Sequence, residues 1–217
     1  MLSIVLTGAA LLSGSKNAAL PEKDIDGTIF LVNRQHVISE QYVPEPLRKT
    51  QVYGMSQSMR EDAATALEEL FQAAQADGIK LSSVSGYRSY SKQSLLYDRK
   101  TKRTGSETEA DKLVARPGAS EHQLGLAMDL ATRNSSTLSE KFGSTPEGQW
   151  VYANCQRFGF IVRYLKGYED VTGYSFEPWH YRFVGRYHAQ KIHEGGLCLE
   201  EYLQSYLSTA ASAQKSN

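Results

Sequence analysis

The sequence predicts an α+β domain, and three observations carry that expectation. An amphipathic helix is readable from a cap at Ser58 to a stop at Gly78, and apolar runs of strand length recur at 81–85, 160–164 and 179–184. Helices and strands alternate without the strict βαβ rhythm of a parallel sheet. A length of 217 residues suits one sizeable core and is short for two large domains. The expected organisation is an N-terminal segment with its linker over 1–27, then a single domain over 28–217.

Taken in order, Met1 to Leu12 (MLSIVLTGAALL) is apolar and leads into the small polar run Ser13-Gly14-Ser15. It reads as the remnant of an export signal or anchor, or else as a first buried strand. No basic residues precede it, and it is too short to span a bilayer. Residues 13–28 have linker composition. Thr28 to Val32 (TIFLV) is expected as a short strand, and a polar passage through Val43-Pro44-Glu45-Pro46 follows. In the first clear helix Ser58 is expected as the cap, with Glu61 completing a capping box. Met59, Ala63, Ala66, Leu67, Leu70, Phe71 and Ala74 share one face, and Gly78 stops the helix.

Leu81 to Ser85 reads as a strand running into Gly86-Tyr87-Arg88-Ser89. The next helix has Leu95, Leu96 and Tyr97 on its apolar side and Lys100, Lys102 and Arg103 near its end. Residues 101–119 are polar and contain Pro117-Gly118, so they are loop or short helix. Leu124 to Leu130 reads as a buried strand carrying one acid. Thr145 caps a helix whose first position is Pro146, where proline fits best, and which runs to about Arg157 before Gly159. Phe160 to Tyr164 and Trp179 to Val184 are strands. Helices over Arg186 to Glu194 and Leu199 to about Ala210 close the chain.

Lys+Arg and Asp+Glu number 24 each, so no net field recruits nucleic acid or an anionic membrane. Thirteen Tyr against seven Phe give many rings with a polar tip, which suits clefts as well as cores. Cys155 and Cys198 stand apart with no CxxC spacing, and read as buried free thiols.

Three segments place reactive side chains in apolar surroundings. Asp129 lies inside Leu126-Ala127-Met128-Asp129-Leu130, where a carboxylate is costly unless it is paired or binds a metal. His122 lies seven residues upstream, with Gly125 between them to allow a tight return. Imidazole and carboxylate both suit zinc, although an Asp in such a run also fits a backbone hydrogen bond or an arginine partner. In Glu177-Pro178-Trp179-His180, proline fixes its own φ and pushes Glu177 toward extended backbone. His180 would complete a His2Asp set with the fourth position open, the pattern of a catalytic rather than a structural zinc site. Glu177 is then the candidate general base. Taken alone, an ExxH also fits a surface carboxylate and a core histidine. Arg88 follows an apolar strand, and its fork suits a carboxylate or a developing oxyanion; a salt bridge to a neighbouring acid is the plainer reading. His36, His188 and His193 are expected to be structural or exposed.

Together these segments carry a family pattern: SGYRSYSKQ at 85–93, ARPGASEHQLGLAMDL at 115–130, GFIVRY at 159–164 and TGYSFEPWHYRFVG at 172–185. With them the sequence resembles the VanY-like D-alanyl-D-alanine carboxypeptidases, a group that includes LdcB-type L,D-carboxypeptidases and is related to VanX-type D,D-dipeptidases. The likeness runs from about Ser83 to Tyr202. It implies a small α+β domain whose antiparallel sheet, flanked by helices, holds zinc in a cleft. It implies His122, Asp129 and His180 as zinc ligands, Glu177 as base, and Arg88 as the group that binds substrate and stabilises the tetrahedral oxygen. Gln93 and Ser120 would line the pocket near the terminal D-alanine, with Tyr164 and Trp179 as its walls.

The family often has Thr where this chain has Leu124, a departure at a position that holds no metal. The implied partner is a peptidoglycan stem peptide, with no nucleic acid and no obligate protein partner. The implied activity is removal of its terminal D-alanine, against an L,D-carboxypeptidase, a D,D-dipeptidase or endopeptidase, or a wall-binding module without catalysis. The implied location is the cell envelope, secreted or anchored facing the wall, with the cytoplasm as the alternative. Ser82-Ser83 and Ser135-Ser136 do not open an S-x-x-K motif of serine-type enzymes and read as loop residues.

Overall fold

The computed structural model describes residues 27–215, so the expectations for Met1–Leu12 and for most of the linker lie outside the described residues. In chain order the elements are β1 (Leu47–Lys49), β2 (Ser58–Arg60), α1 (Glu61–Ala76), β3 (Leu81–Ser85), α2 (Tyr90–Thr104), α3 (Glu107–Asp111), β4 (Ala127–Thr132), α4 (Pro146–Asn154), β5 (Phe160–Tyr164), α5 (Glu169–Thr172), β6 (Glu177–Phe183), α6 (Arg186–Gly195) and α7 (Leu199–Lys215). β3, β4, β6 and β5 form one four-stranded sheet in that order, with every pair antiparallel. β1 and β2 make a separate antiparallel ribbon. This is the α+β architecture expected from the sequence. Among the described residues no helix is long and apolar enough to cross a membrane.

Period-two alternation sorts the sheet into two faces. Met128, Leu130, Phe160, Val162, Tyr181 and Phe183 pack with Ala63, Leu67 and Leu70 of α1 and Val151 of α4 in the larger core. Ile161 and Val184 pack with Ala189 and Ile192 of α6 and Leu199 and Leu203 of α7 in a smaller one. The residues that alternate with the larger core, Asp129 on β4, Arg163 on β5 and His180 and Arg182 on β6, are buried and polar. The sheet therefore uses one face for packing and gives much of the other to charge.

Several expectations are corrected. Thr28 to Val32 is not a strand: Ile29 to Val32 are buried as irregular chain, and the Arg182 guanidinium bonds the carbonyls of Thr28 and Phe30 at 2.9 and 2.8 Å. An arginine replaces the sheet partner those oxygens would otherwise need. Ser58 does not cap α1. It lies in β2, its carbonyl accepts from Tyr87 N at 2.7 Å, and the helix starts after Arg60 with no side-chain cap. Met59 is fully buried, but from the strand. The run 124–130 is divided: Glu121–Leu124 is a 3₁₀ turn, Gly125 turns left-handed at φ 69°, and β4 begins at Ala127. β6 begins at Glu177, two residues before the expected start, and α7 extends to Lys215. α4 ends at Asn154 and passes into a 3₁₀ turn over Cys155–Phe158. Within 101–119, α2 continues to Thr104 and α3 supplies the short helix. Thr145 caps α4 with Pro146 in its first turn, and both cysteines are buried and free, as expected.

Gly125 is the hinge that brings the His122 turn back into β4. A Cβ there would stand 3.0 Å from Leu47 Cδ2 and 3.1 Å from Arg60 N, in a backbone conformation that disfavours any side chain. Gly125→Ala is expected to cost about 2 kcal/mol, since left-handed backbone alone costs about 1–2. A lower urea midpoint with unchanged slope checks this, and an unchanged midpoint would refute the hinge assignment.

Candidate active site

Each reactive segment reaches a single cleft by its own device. β3 is irregular between Ser83 and Ser85, one residue longer than its partner there, which brings Ser85 opposite Asp129. Asp129 in turn pairs with His180, so Ser85, Asp129 and His180 form a row across three strands. In β6 the register slips by two residues, from Val162↔Tyr181 to Tyr164↔Glu177. The extra chain is Pro178-Trp179. Strict alternation would put Glu177 and His180 on opposite faces, yet both line the cleft. The turn at Gly86 presses on β2, where a Cβ would meet Ser58 O at 2.6 Å. That closeness directs the Gly86 carbonyl at His122, whose Nδ1 lies 2.8 Å away.

The cleft has a volume of about 270 Å³ and is lined by all nine residues expected from the sequence: Arg88, Gln93, Ser120, His122, Asp129, Tyr164, Glu177, Trp179 and His180. This is near the lower end for small-molecule sites, about 300 Å³, a size that suits the end of a peptide. The Tyr164 ring lies 5.1 Å from the His180 ring and 4.8 Å from Tyr174. Arg88 donates to Gln93 Oε1 at 2.7 Å and to Ser85 Oγ at 2.8 Å, and stands 4.0 Å from Asp129 Oδ2. Gln93 is fixed in turn by donating to the Ala115 carbonyl at 2.6 Å. Leu124 is wholly buried in the larger core and so does not touch this chemistry.

His122, Asp129 and His180 each offer a ligand atom, and these atoms lie within 4.8 Å of one another. Their protonation fits a cation. A carbonyl only accepts, so His122 Nδ1 carries the proton and its Nε2 lone pair faces Asp129 Oδ2 at 3.3 Å. Burial, and then the Arg88 cation, push His122 down, so two acceptors confront each other across a gap that a metal ion would bridge. His180 is held from both sides, with Nδ1 3.0 Å from Asp129 Oδ1 and Nε2 3.4 Å from Glu121 Oε2. Burial lowers its pKa, but these two carboxylates outweigh burial and raise it to about 9. Burial likewise raises Asp129, yet the His180 imidazolium, 3.0 Å away, holds it well below the usual carboxylate range. Two imidazoles and a carboxylate, each steered by an outer partner, form a donor set for zinc with room for a further ligand.

Glu121 is the residue that sequence reasoning passed over. Its side chain is wholly buried and accepts from Arg163 Nε and Arg182 Nη1, both at 2.7 Å. Arg163 continues to Glu200 on α7 through two bonds of 2.9 and 2.6 Å. Burial pushes Glu121 up, but the two guanidiniums pull it well below its ordinary value. The sequence signal was available in Arg163 and Arg182, cations at inward positions of the apolar strands FIVRY and HYRFV.

Glu177 is the opposite case. It is partly buried, with no hydrogen bond or ion pair among the described residues, and burial pushes it up to about 7 despite His180 nearby. The remaining histidines keep apart from the cleft: His36 Nδ1 contacts Asn33, His188 Nδ1 contacts the Tyr202 hydroxyl, and His193 is exposed. Ser89-Tyr90-Ser91-Lys92 does spell S-x-x-K, but Ser89 Oγ is the cap of α2, accepting from Lys92 N at 3.3 Å.

A cleft with a His2Asp donor set and a separate, partly buried carboxyl defines a metal-dependent hydrolase. A family model described as VanY, D-alanyl-D-alanine carboxypeptidase, matches residues 56–186. The chain is 42% identical over 189 residues to a D-alanyl-D-alanine carboxypeptidase of Enterococcus faecalis, covering 82% of this chain and 66% of that one. The chain thus spans about two thirds of that relative's length. Among solved structures it resembles the LdcB LD-carboxypeptidase, with TM-score 0.79 and 42% identity over 84% of this chain and 88% of the other. It also resembles the vancomycin-resistance D,D-pentapeptidase VanY in complex with Zn(II), with TM-score 0.70 and 40% identity over 81% and 98%. The chain belongs to the VanY family of carboxypeptidases, and its His122, Asp129 and His180 form a group able to hold a metal ion.

Two outcomes follow from the protonation states. Zinc binding to metal-free protein at pH 7–8 is expected to release about one proton, because His180 enters as an imidazolium and must give up its Nδ1 proton. Calorimetry in buffers of different ionisation enthalpy reads that number, and zero would mean His180 is already neutral. In metal-free protein Glu177 has a folded pKa of about 7 against its usual 4.5, so its ionisation weakens the fold as pH rises between those values. Glu177→Gln is expected to stabilise metal-free protein by up to about 3 kcal/mol above pH 7, with the gain vanishing below pH 4.5. Urea unfolding across that range measures it.

Proposed function

We propose that this chain is a D,D-carboxypeptidase that removes the terminal D-alanine from peptidoglycan stem peptides, with residues 28–217 as its catalytic domain. His122, Asp129 and His180 hold the zinc ion, and Glu177 is the general base. The observation that carries this reading is the contrast between Glu177 and the other acids of the cleft. It has no arginine partner, it is partly buried, and its pKa of about 7 is matched to taking and returning a proton near neutrality. When bound, zinc polarises the scissile carbonyl and lowers the pKa of water to about 7.

The residues of the chain do the rest. Glu177 accepts the proton of the attacking water and delivers it to the departing amine. Arg88, braced by Ser85 and Gln93, directs its guanidinium to the oxygen that gains charge, a stabilisation that costs no reorganisation during reaction. The Gly86 carbonyl and Glu121 keep the outward ring nitrogens of His122 and His180 protonated, so each ring presents its other nitrogen to the metal. Tyr164 and Trp179 exclude water beside the scissile bond, and Ser120 lines the end that receives the terminal residue. A wall substrate implies action in the cell envelope.

The second reading is cleavage of a terminal D-alanine from an L-centre, as in an L,D-carboxypeptidase. It is favoured by the closer structural match to LdcB, with TM-score 0.79 against 0.70 for VanY.

Defined muropeptides ending in D-Ala-D-Ala and in L-Lys-D-Ala, or its diaminopimelate equivalent, separate the two readings by mass spectrometry. Loss of one alanine from the pentapeptide is expected. Cleavage of the tetrapeptide alone would establish the L,D reading. Glu177→Ala is expected to lower kcat by about 100- to 10,000-fold with zinc still bound. Full activity in that variant would overturn the assignment of the base.

A further inference from the structure

Lys100 lines the catalytic cleft, and nothing in the mechanism above uses it. It lies on α2 seven residues after Gln93, about two turns or roughly 10 Å along the same helix face. The same cleft is lined in part by the apolar residues Leu113, Val114 and Leu138. Burial and the nearby Arg103 lower the pKa of the ammonium against the opposing field of Glu177, and it makes no hydrogen bond or ion pair with any described residue. The other cation that lines the cleft, Arg88, is engaged with Gln93 and Ser85. A half-buried cation beside apolar walls keeps an unmet demand for an anion. Glu121 and Asp129 cannot answer it, because each is saturated by partners of its own.

We propose that Lys100 is a substrate-recognition residue that binds a carboxylate of the peptide, two turns of α2 away from the Arg88–Gln93 end of the cleft. The inference rests on the carboxypeptidase reading and deepens it. A peptide carboxylate has two sources here. One is the free terminus of the leaving residue, common to every substrate. The other is a carboxylate on the acyl side, which a stem peptide with diaminopimelate at its third position carries and one with lysine lacks. An ammonium is a compact point charge on a flexible stem, so it can follow either carboxylate without the fixed fork that arginine would impose.

The test uses zinc-loaded full-length protein with paired muropeptides that differ only in lysine or diaminopimelate at the third residue. Lys100→Met keeps the length of the side chain and removes the charge, and Lys100→Arg restores it. Loss of a charge-assisted hydrogen bond is expected to lower kcat/KM about 10- to 100-fold in Lys100→Met, mainly through KM, with recovery in Lys100→Arg. A loss confined to the diaminopimelate substrate supports the acyl-side carboxylate, and an equal loss on both supports the terminal one. A change below twofold on both substrates would overturn the proposal. So would a fall in kcat alone with a displaced acidic limb of the pH profile, because Lys100 would then act through Glu177. Thermal unfolding and zinc content of Lys100→Met confirm that the comparison is between folded holoenzymes. Absence of turnover in wild-type holoenzyme would instead sink the carboxypeptidase reading itself, so the two failures are told apart.

Discussion

Glu121 has its carboxylate wholly out of water, where an isolated charge would cost several kcal/mol. Three groups make that position tenable: Arg163, Arg182 and the ring of His180. Each carries the constraint outward. Arg163 reaches Glu200 and so fixes how α7 docks on the sheet. Arg182 reaches the carbonyls of Thr28 and Phe30 and so holds the first described segment against it. Breaking one member of such a network typically costs about 3–5 kcal/mol, because the remaining charge stays buried without a counter-charge. The orientation of His180, a member of the candidate metal group, is thereby tied to both ends of the described chain. A contact remote from the cleft is also a contact with the site.

The sheet can carry this load because its two faces have separate duties, and because irregularities are placed where a side chain must change face. Alternation alone would bring Asp129, His180 and Arg182 to the polar face. It would not bring Ser85 or Glu177 there. The extra residue of β3 and the two-residue slip at Pro178-Trp179 do so, and both lie at the end of the sheet where the cleft opens. Proline is tolerated in β6 because the slip removes the ladder bond it could not have made.

This also explains what the sequence could and could not disclose. The strands of the sheet and helices α1, α2, α4 and α6 were legible, because their apolar periodicity is local. The convergence of His122, Asp129, Glu177 and His180 on one cleft was legible because reactive groups in apolar runs ask for a reason. Glu121 was not, although it adjoins His122, since its partners come from 42 and 61 residues away. The same holds for Thr28 to Val32, where an apolar run looked like a strand until an arginine 154 residues distant supplied its hydrogen bonds. Ser58 failed as a cap for a similar reason: its segment pairs with β1 and its carbonyl is taken by Tyr87. In each case a long-range partner outbid a local preference.

Three carboxylates line the cleft, and their residue types do not distinguish their roles. Their partners do. Glu121 meets two guanidiniums and stays ionised, so it can only accept hydrogen bonds and hold charge in place. Asp129 lies against two imidazoles and is likewise held ionised, the form in which a carboxylate can take a metal ion. Glu177 meets neither and is pushed up to about 7, so it is the one acid of the three that can change its protonation state near neutral pH. Separation of pKa values by environment is how a site assigns acid, base and ligand duties among like groups. Here that separation follows the folding network, since Arg163 and Arg182 are held by Glu121, while Arg88 is engaged by Gln93 and Ser85 and makes no ion pair with Glu177.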